Sequence, residues 1–165
     1  MAIEELFFVR AHAAQVREIF QALSSEPRVR HVAITTGAWD LFALVSGGDR
    51  PDLDRFHLEL LARPGIEAVE RNPVEKRWEN PGGSEKTIQA WTIVRTRARE
   101  LTFQDLQGVE NIHEVLSTAS TDVLARFSGD SFEEVHNRVL EGVGRAGGVE
   151  RTTTFLSTQR RKRSP

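Results

Sequence analysis

The feature that most constrains this chain is that it is written twice. "FFVRAHA" (7–13) resembles "TIVRTRA" (92–98), "WDLFALVSG" (39–47) resembles "TDVLARFSG" (121–129), and "PGIEAVER" (64–71) resembles "AGGVERTT" (146–153), in the same order and at nearly the same offset. Self-similarity of this kind marks one structural unit used twice, so whatever path the first copy takes, the second is expected to follow. Between the copies, "ENPGGSEKT" (79–87) carries a proline, two glycines and charges, the composition of a connection. The expected organisation is a first domain over 1–80, a linker over 81–87, a second domain over 88–159 and a basic tail over 160–165.

Hydropathy periods within the first copy give the element order. Residues 3–11 read as a strand. Between Ala14 and Ser24, Val16, Ile19, Phe20 and Leu23 recur at helical spacing, and Ser-Ser-Glu-Pro ends that helix. Residues 29–36 and 40–46 make a hairpin around Gly37. A second helix opens near Pro51 with Asp49 as its cap, and it is expected to bury Leu53, Phe56, Leu60 and Leu61. Pro64-Gly65 stops it, and a last strand runs from Ile66 to Trp78, irregular at Pro73. The resulting β-α-β-β-α-β order is the split unit of ferredoxin-like folds. The second copy repeats it with a weaker first helix, because Leu101, Phe103 and Leu106 fit the helical period poorly.

One strand is apolar on both faces: Leu41, Ala43 and Val45 point one way, Phe42 and Leu44 the other. A four-stranded sheet with two helices on one side leaves its other side bare. The expected fold is therefore α+β, two tandem ferredoxin-like units packed sheet to sheet as an intrachain pseudo-dimer. Leu44 becomes Arg126 in the second copy, so the copies differ where that side chain points.

Composition excludes several classes. With no Cys, disulfide frameworks, thiolate zinc sites and cysteine nucleophiles are absent. No apolar run reaches the roughly 20 residues of a membrane span, and "MAIEELFFVR" does not read as a signal peptide, so a cytoplasmic protein without membrane partners is expected. A net charge of −2 gives no global attraction to nucleic acid, and the run Arg160–Arg163 reads as a frayed, solvated terminus. No His-x-x-x-His pair is present and "SGGDRP" (46–51) lacks the Lys-Ser/Thr of a phosphate loop, so neither a metal nor a cofactor is expected. An enzyme on this fold would draw on Trp39, His31 and His57. His136 stands at a place similar to His57, and His113 lies 82 positions after His31, which descent from one duplicated domain explains equally well. No catalytic residue is assigned.

The ordered set "EPRV" (26–29), Gly37, Trp39-Asp40 and "PGI" (64–66) resembles the ligand-binding RAM domain of the Lrp/AsnC family of transcription regulators, over nearly all of residues 3–78 and more faintly over 88–158. The resemblance implies a non-enzymatic, effector-binding module involved in transcription regulation, sensing an amino acid or related small molecule and assembling as a homo-oligomer. The alternative is a ferredoxin-like dimeric monooxygenase or haem-degrading enzyme. The resemblance places the ligand at the hairpin: Gly37, Trp39 and Asp40, with Thr35 and Thr36 as neighbours, and Asp122 as the matching position in the second copy. A glycine turn offers N–H groups to a carboxylate, and an aspartate accepts from an ammonium group. Family regulators carry a helix-turn-helix domain. None is recognised here, so no direct nucleic-acid binding is expected, and co-assembly with complete family members is the implied route to transcription.

Overall fold

The structure is a computed structural model describing residues 2–82, 84–120 and 122–162, and for residues 158–162 the backbone alone. The chain forms two compact units. One comprises the chain to Pro73 together with the residues from Ser157, and the other runs from Val74 to Leu156. The cuts thus fall within strands, and not in the 81–87 segment.

In the first unit, β1 (Ile3–Ala11), α1 (Val16–Ser25), β2 (Val29–Thr35), β3 (Leu41–Gly47), α2 (Arg50–Leu61) and the first part of β4 (Ile66–Glu79) follow the β-α-β-β-α-β order. All pairings are antiparallel, in the spatial order β4-β1-β3-β2. Phe7, Val9, Leu41, Ala43 and Val45 face the helices, where they meet Ile19, Phe20 and Leu23 of α1 and Leu53, Phe56 and Leu60 of α2. Each buried side chain of this size contributes about 1.5–3 kcal/mol. Asp49 caps α2 by accepting from the Asp52 N–H at 2.8 Å, and Pro51 sits in the first turn. Leu61, expected in the core, is 43% exposed; α2 ends there and turns it to solvent.

Both faces of β3 are buried. Away from the helices, Phe42 meets the ring of Phe8 at 5.4 Å and that of His31 at 6.2 Å.

The second unit comprises the rest of β4 with β5 (Ile88–Thr96), α3 (Arg99–Leu106), β6 (Ile112–Thr118), β7 (Asp122–Gly129), α4 (Phe132–Gly142) and the first part of β8 (Val149–Lys162). Residues Val74–Glu79 pair with β6, β6 with β7, and β7 with β5, which has β8 at its other side. The expected irregularity at Pro73 is the point where β4 changes partner: Pro73 is the last residue opposite β1, and Val74 the first opposite β6. α3 explains its own weak period. Leu101 is exposed, whereas Thr102 is buried, sharing a 2.6 Å hydrogen bond with the Thr96 hydroxyl.

The basic tail is the clearest correction. Arg160, Arg161 and Lys162 continue β8, with their backbone opposite Ala33, Val32 and His31 of β2. An unpaired β2 edge accepts these residues whatever their charge, because a ladder is built from backbone groups. Arg163 to Pro165 lie outside the described residues.

Strand registers show which residues of the two units are equivalent. Phe7 lies opposite Ala43, and Thr92 opposite Ala125; Glu5 lies opposite Val45, and Ala90 opposite Phe127. Likewise Leu44 pairs with His31, and Arg126 with Glu114. The histidine correspondences read from spacing therefore fail. Register equates His31 with Glu114, and the caps Asp49 and Ser131 equate Asp54 with His136 and His57 with Val139.

Candidate functional site

The hairpin joining β2 to β3 gathers five of the six residues singled out above. Thr35 ends β2; its N–H donates to the Asp40 carbonyl at 3.0 Å and its hydroxyl to the Trp39 carbonyl at 3.0 Å. These two bonds close a loop whose tip, Thr36 to Ala38, is exposed. Gly37 takes φ 112°, a conformation that a side chain would strain. Trp39 folds back over the sheet, 6.0 Å from the Phe8 ring, with the Arg10 guanidinium 5.0 Å from its own centroid. The Arg10 Nε also donates to the Ala38 carbonyl at 3.4 Å. Stacking on an indole holds a guanidinium in place while leaving its edge in solvent.

Asp40 has a structural task here. Its Oδ2 accepts from the Ala11 N–H at 2.9 Å, and its own N–H donates to the Val9 carbonyl at 2.9 Å, so it ties the end of β1 to the start of β3. Sequence reasoning missed Arg10 altogether. Its signal was the recurring "VR" of the two copies, Val9-Arg10 and Val94-Arg95.

Asp122 belongs to the second unit, at the start of β7 opposite Arg95. Four residues separate Thr35 from Asp40, but three separate Thr118 from Asp122, so the second turn is one residue shorter. Its carbonyls are held differently: the Thr118 hydroxyl donates to the Asp122 carbonyl at 3.0 Å, and Arg99 donates to the carbonyls of Thr118 and Ser120 at 2.7 and 3.1 Å. Thr121 lies outside the described residues.

The side chains that an enzyme would recruit do not converge. Trp39 and His31 border the Phe8 and Phe42 rings on the face away from the helices, whereas His57 stands on α2, 6.1 Å from Phe7 on the helix side. Burial, and then the nearby Arg71 charge, hold the His57 pKa below its usual 6.5. Among the described residues no group of three His, Asp or Glu side chains is arranged to hold a metal ion, and no helix is long and apolar enough to cross a membrane.

Two buried ion networks mark where the units diverge. In the first, Arg71 donates to both oxygens of buried Glu5, at 2.7 and 3.0 Å, and to Asp54 of α2 at 2.7 Å. In the second, Glu114 is wholly buried and shared by Arg77 at 2.8 Å and Arg126 at 3.3 Å, while Arg126 also reaches Gln89 at 3.0 Å and pairs with Glu85.

Residues 3–80 match the Lrp/AsnC ligand binding domain. Over 73 residues the chain is 36% identical to uncharacterised HTH-type transcriptional regulators of Pyrococcus abyssi and Pyrococcus horikoshii, covering 42% of this chain and 46% of each of them. The chain thus spans about half the length of the curated relatives it matches. Among solved structures, the siroheme decarboxylase NirDL in co-complex with an iron-uroporphyrin III analogue is similar with a TM-score of 0.77 and 10% identity, over 96% of this chain and 72% of that one. An anthrone oxidase-like protein follows with a TM-score of 0.57 and 12% identity, over 98% and 92%. At such identities the likeness is one of fold: α+β, with tandem ferredoxin-like units. Over residues 3–80, the chain thus carries a segment similar to the Lrp/AsnC ligand binding domain.

Proposed function

We propose that the protein is an effector-binding regulatory module whose first unit takes an amino acid or related small carboxylate at the Thr35–Asp40 hairpin. The observation that carries this reading is the coincidence of the family match over residues 3–80 with a glycine loop that lies beside a fixed cation and a fixed anion. Arg10, stacked on Trp39, offers the edge of its guanidinium to a carboxylate. Asp40, anchored through one oxygen, contributes negative charge for an α-ammonium group. The exposed Thr36-Gly37-Ala38 backbone supplies polar groups between them. The shorter second turn lacks the Gly-x-Trp-Asp pattern, so this reading puts the amino acid at the first unit's hairpin and not at Asp122.

Assembly into homo-oligomers, and with complete helix-turn-helix regulators, would carry ligand occupancy to transcription. The matched regulators support this route. The test is a thermal-denaturation panel with the twenty amino acids. A ligand that binds only the native state stabilises it by RT ln(1 + [L]/Kd), about 2.7 kcal/mol at a hundredfold excess over Kd. One compound should raise the melting temperature, and Asp40→Asn, which keeps an acceptor for the Ala11 N–H but removes the charge, should abolish the rise.

A further inference from the structure

The plug that Arg71 forms in the first unit is missing from the second. Register makes Thr92 the counterpart of Phe7 and Ala90 that of Glu5. Arg71 lies opposite Phe7, and Thr154 bonds Thr92 through their hydroxyls at 3.0 Å, so Thr154 stands where Arg71 does. His136 stands where Asp54 does. Four large or charged side chains of the first unit, Glu5, Phe7, Arg71 and Asp54, are thus replaced by Ala90, Thr92, Thr154 and His136. Between α4 and β8 this leaves an open concavity of about 530 Å³, lined by Phe132, Glu133, Val135, His136, Thr154 and Leu156.

We infer that this concavity binds a small ring-containing molecule, neutral or cationic, that carries one hydrogen-bonding group. Its volume falls within the range of about 300–1,000 Å³ that small-molecule sites occupy. Phe132, Val135 and Leu156 provide the apolar walls that a ring needs, and Phe132 is 61% exposed, so its face is open to a ligand. The Thr154 hydroxyl and the His136 imidazole meet the polar group. Among the described residues that line it, Glu133 is the one that carries a formal charge, and that carboxylate selects against anions. This site is independent of the hairpin and of the amino acid proposed there.

The test is a titration of the full chain with N-phenyl-1-naphthylamine, a neutral aromatic amine whose fluorescence rises in apolar surroundings. The expected result is a saturable rise with one probe per chain. Thr154→Arg/His136→Asp, which restores to the second unit the pair found in the first, should weaken it about tenfold or more, the equivalent of one lost aromatic contact. Phe132→Ala, which shortens an exposed side chain and leaves the core alone, should also weaken it. Absence of saturable binding would overturn the inference. So would binding unchanged in both pocket variants, or light scattering showing that Phe132→Ala converts a dimer to a monomer, which would make the concavity a contact between copies.

Discussion

Arg71 grips Glu5 across two adjacent strands, with Nε on Oε2 at 2.7 Å and Nη2 on Oε1 at 3.0 Å, and the carboxylate it holds is 99% removed from solvent. A buried charge that loses its partner is far more costly than the pair is stabilising. Arg71→Met should therefore lower stability by about 3–5 kcal/mol in urea denaturation, the range for a broken buried pair. Glu5→Leu/Arg71→Met, which removes both charges, should recover most of that loss.

The second unit's network obeys the same rule with different stoichiometry. Glu114 holds two arginines, Arg77 and Arg126, so removing the acid takes a buried partner from both, leaving Arg77 with Glu79 and Arg126 with Glu85 and Gln89, whereas removing Arg126 leaves the acid still paired with Arg77. Glu114→Leu should destabilise more than Arg126→Leu, although leucine is the residue that the first unit carries at the latter position, as Leu44. Equal losses in the two variants would show that Arg77 gives Glu114 no support.

Acid should weaken the fold through His57. Its folded-state pKa is depressed by burial and by Arg71, with Glu5 and Asp54 opposing, so the unfolded chain takes up the proton first as pH falls below 6.5. Stability tied to His57 is complete above that value and is lost as pH drops toward the folded pKa. A His57→Gln variant should show a shallower fall in melting temperature over this window than the parent.

At the hairpin, Asp40→Ala should cost about 0.5–1.5 kcal/mol through the lost bond to the Ala11 N–H, and Asp40→Asn much less. Gly37→Ala should also destabilise, by about 1 kcal/mol or more, because alanine resists φ 112°. Chemical denaturation of the three variants separates the structural part of the loop from its binding part.

Much of this architecture was legible in the residues. The repeat, the alternation of β3 and the Asp49-Pro51 start of α2 are local signals that survive packing, and they placed the strands and helices of the first unit within a residue or two. The hairpin was legible as a turn, because Gly37 and Asp40 act on neighbouring backbone. What escaped depends on residues far apart in the chain. Nothing near Arg71 announces Glu5, which lies 66 positions away, and the concavity lined by His136 and Thr154 exists only where α4 and β8 meet. Leu61 was read as buried from its chemistry, but it sits where its helix ends and turns away from the sheet. The tail misled for the opposite reason: its charges describe its side chains, while its pairing with β2 is made by backbone.

The most direct test of the central claim is an amide NMR titration of the full chain with the amino acid panel. The account predicts that at least one compound causes saturable shifts centred on Thr36, Gly37, Ala38, the Trp39 indole and Arg10, and that Asp40→Asn removes them. No saturable shift with any compound, or shifts confined to α4 and β8, would contradict it.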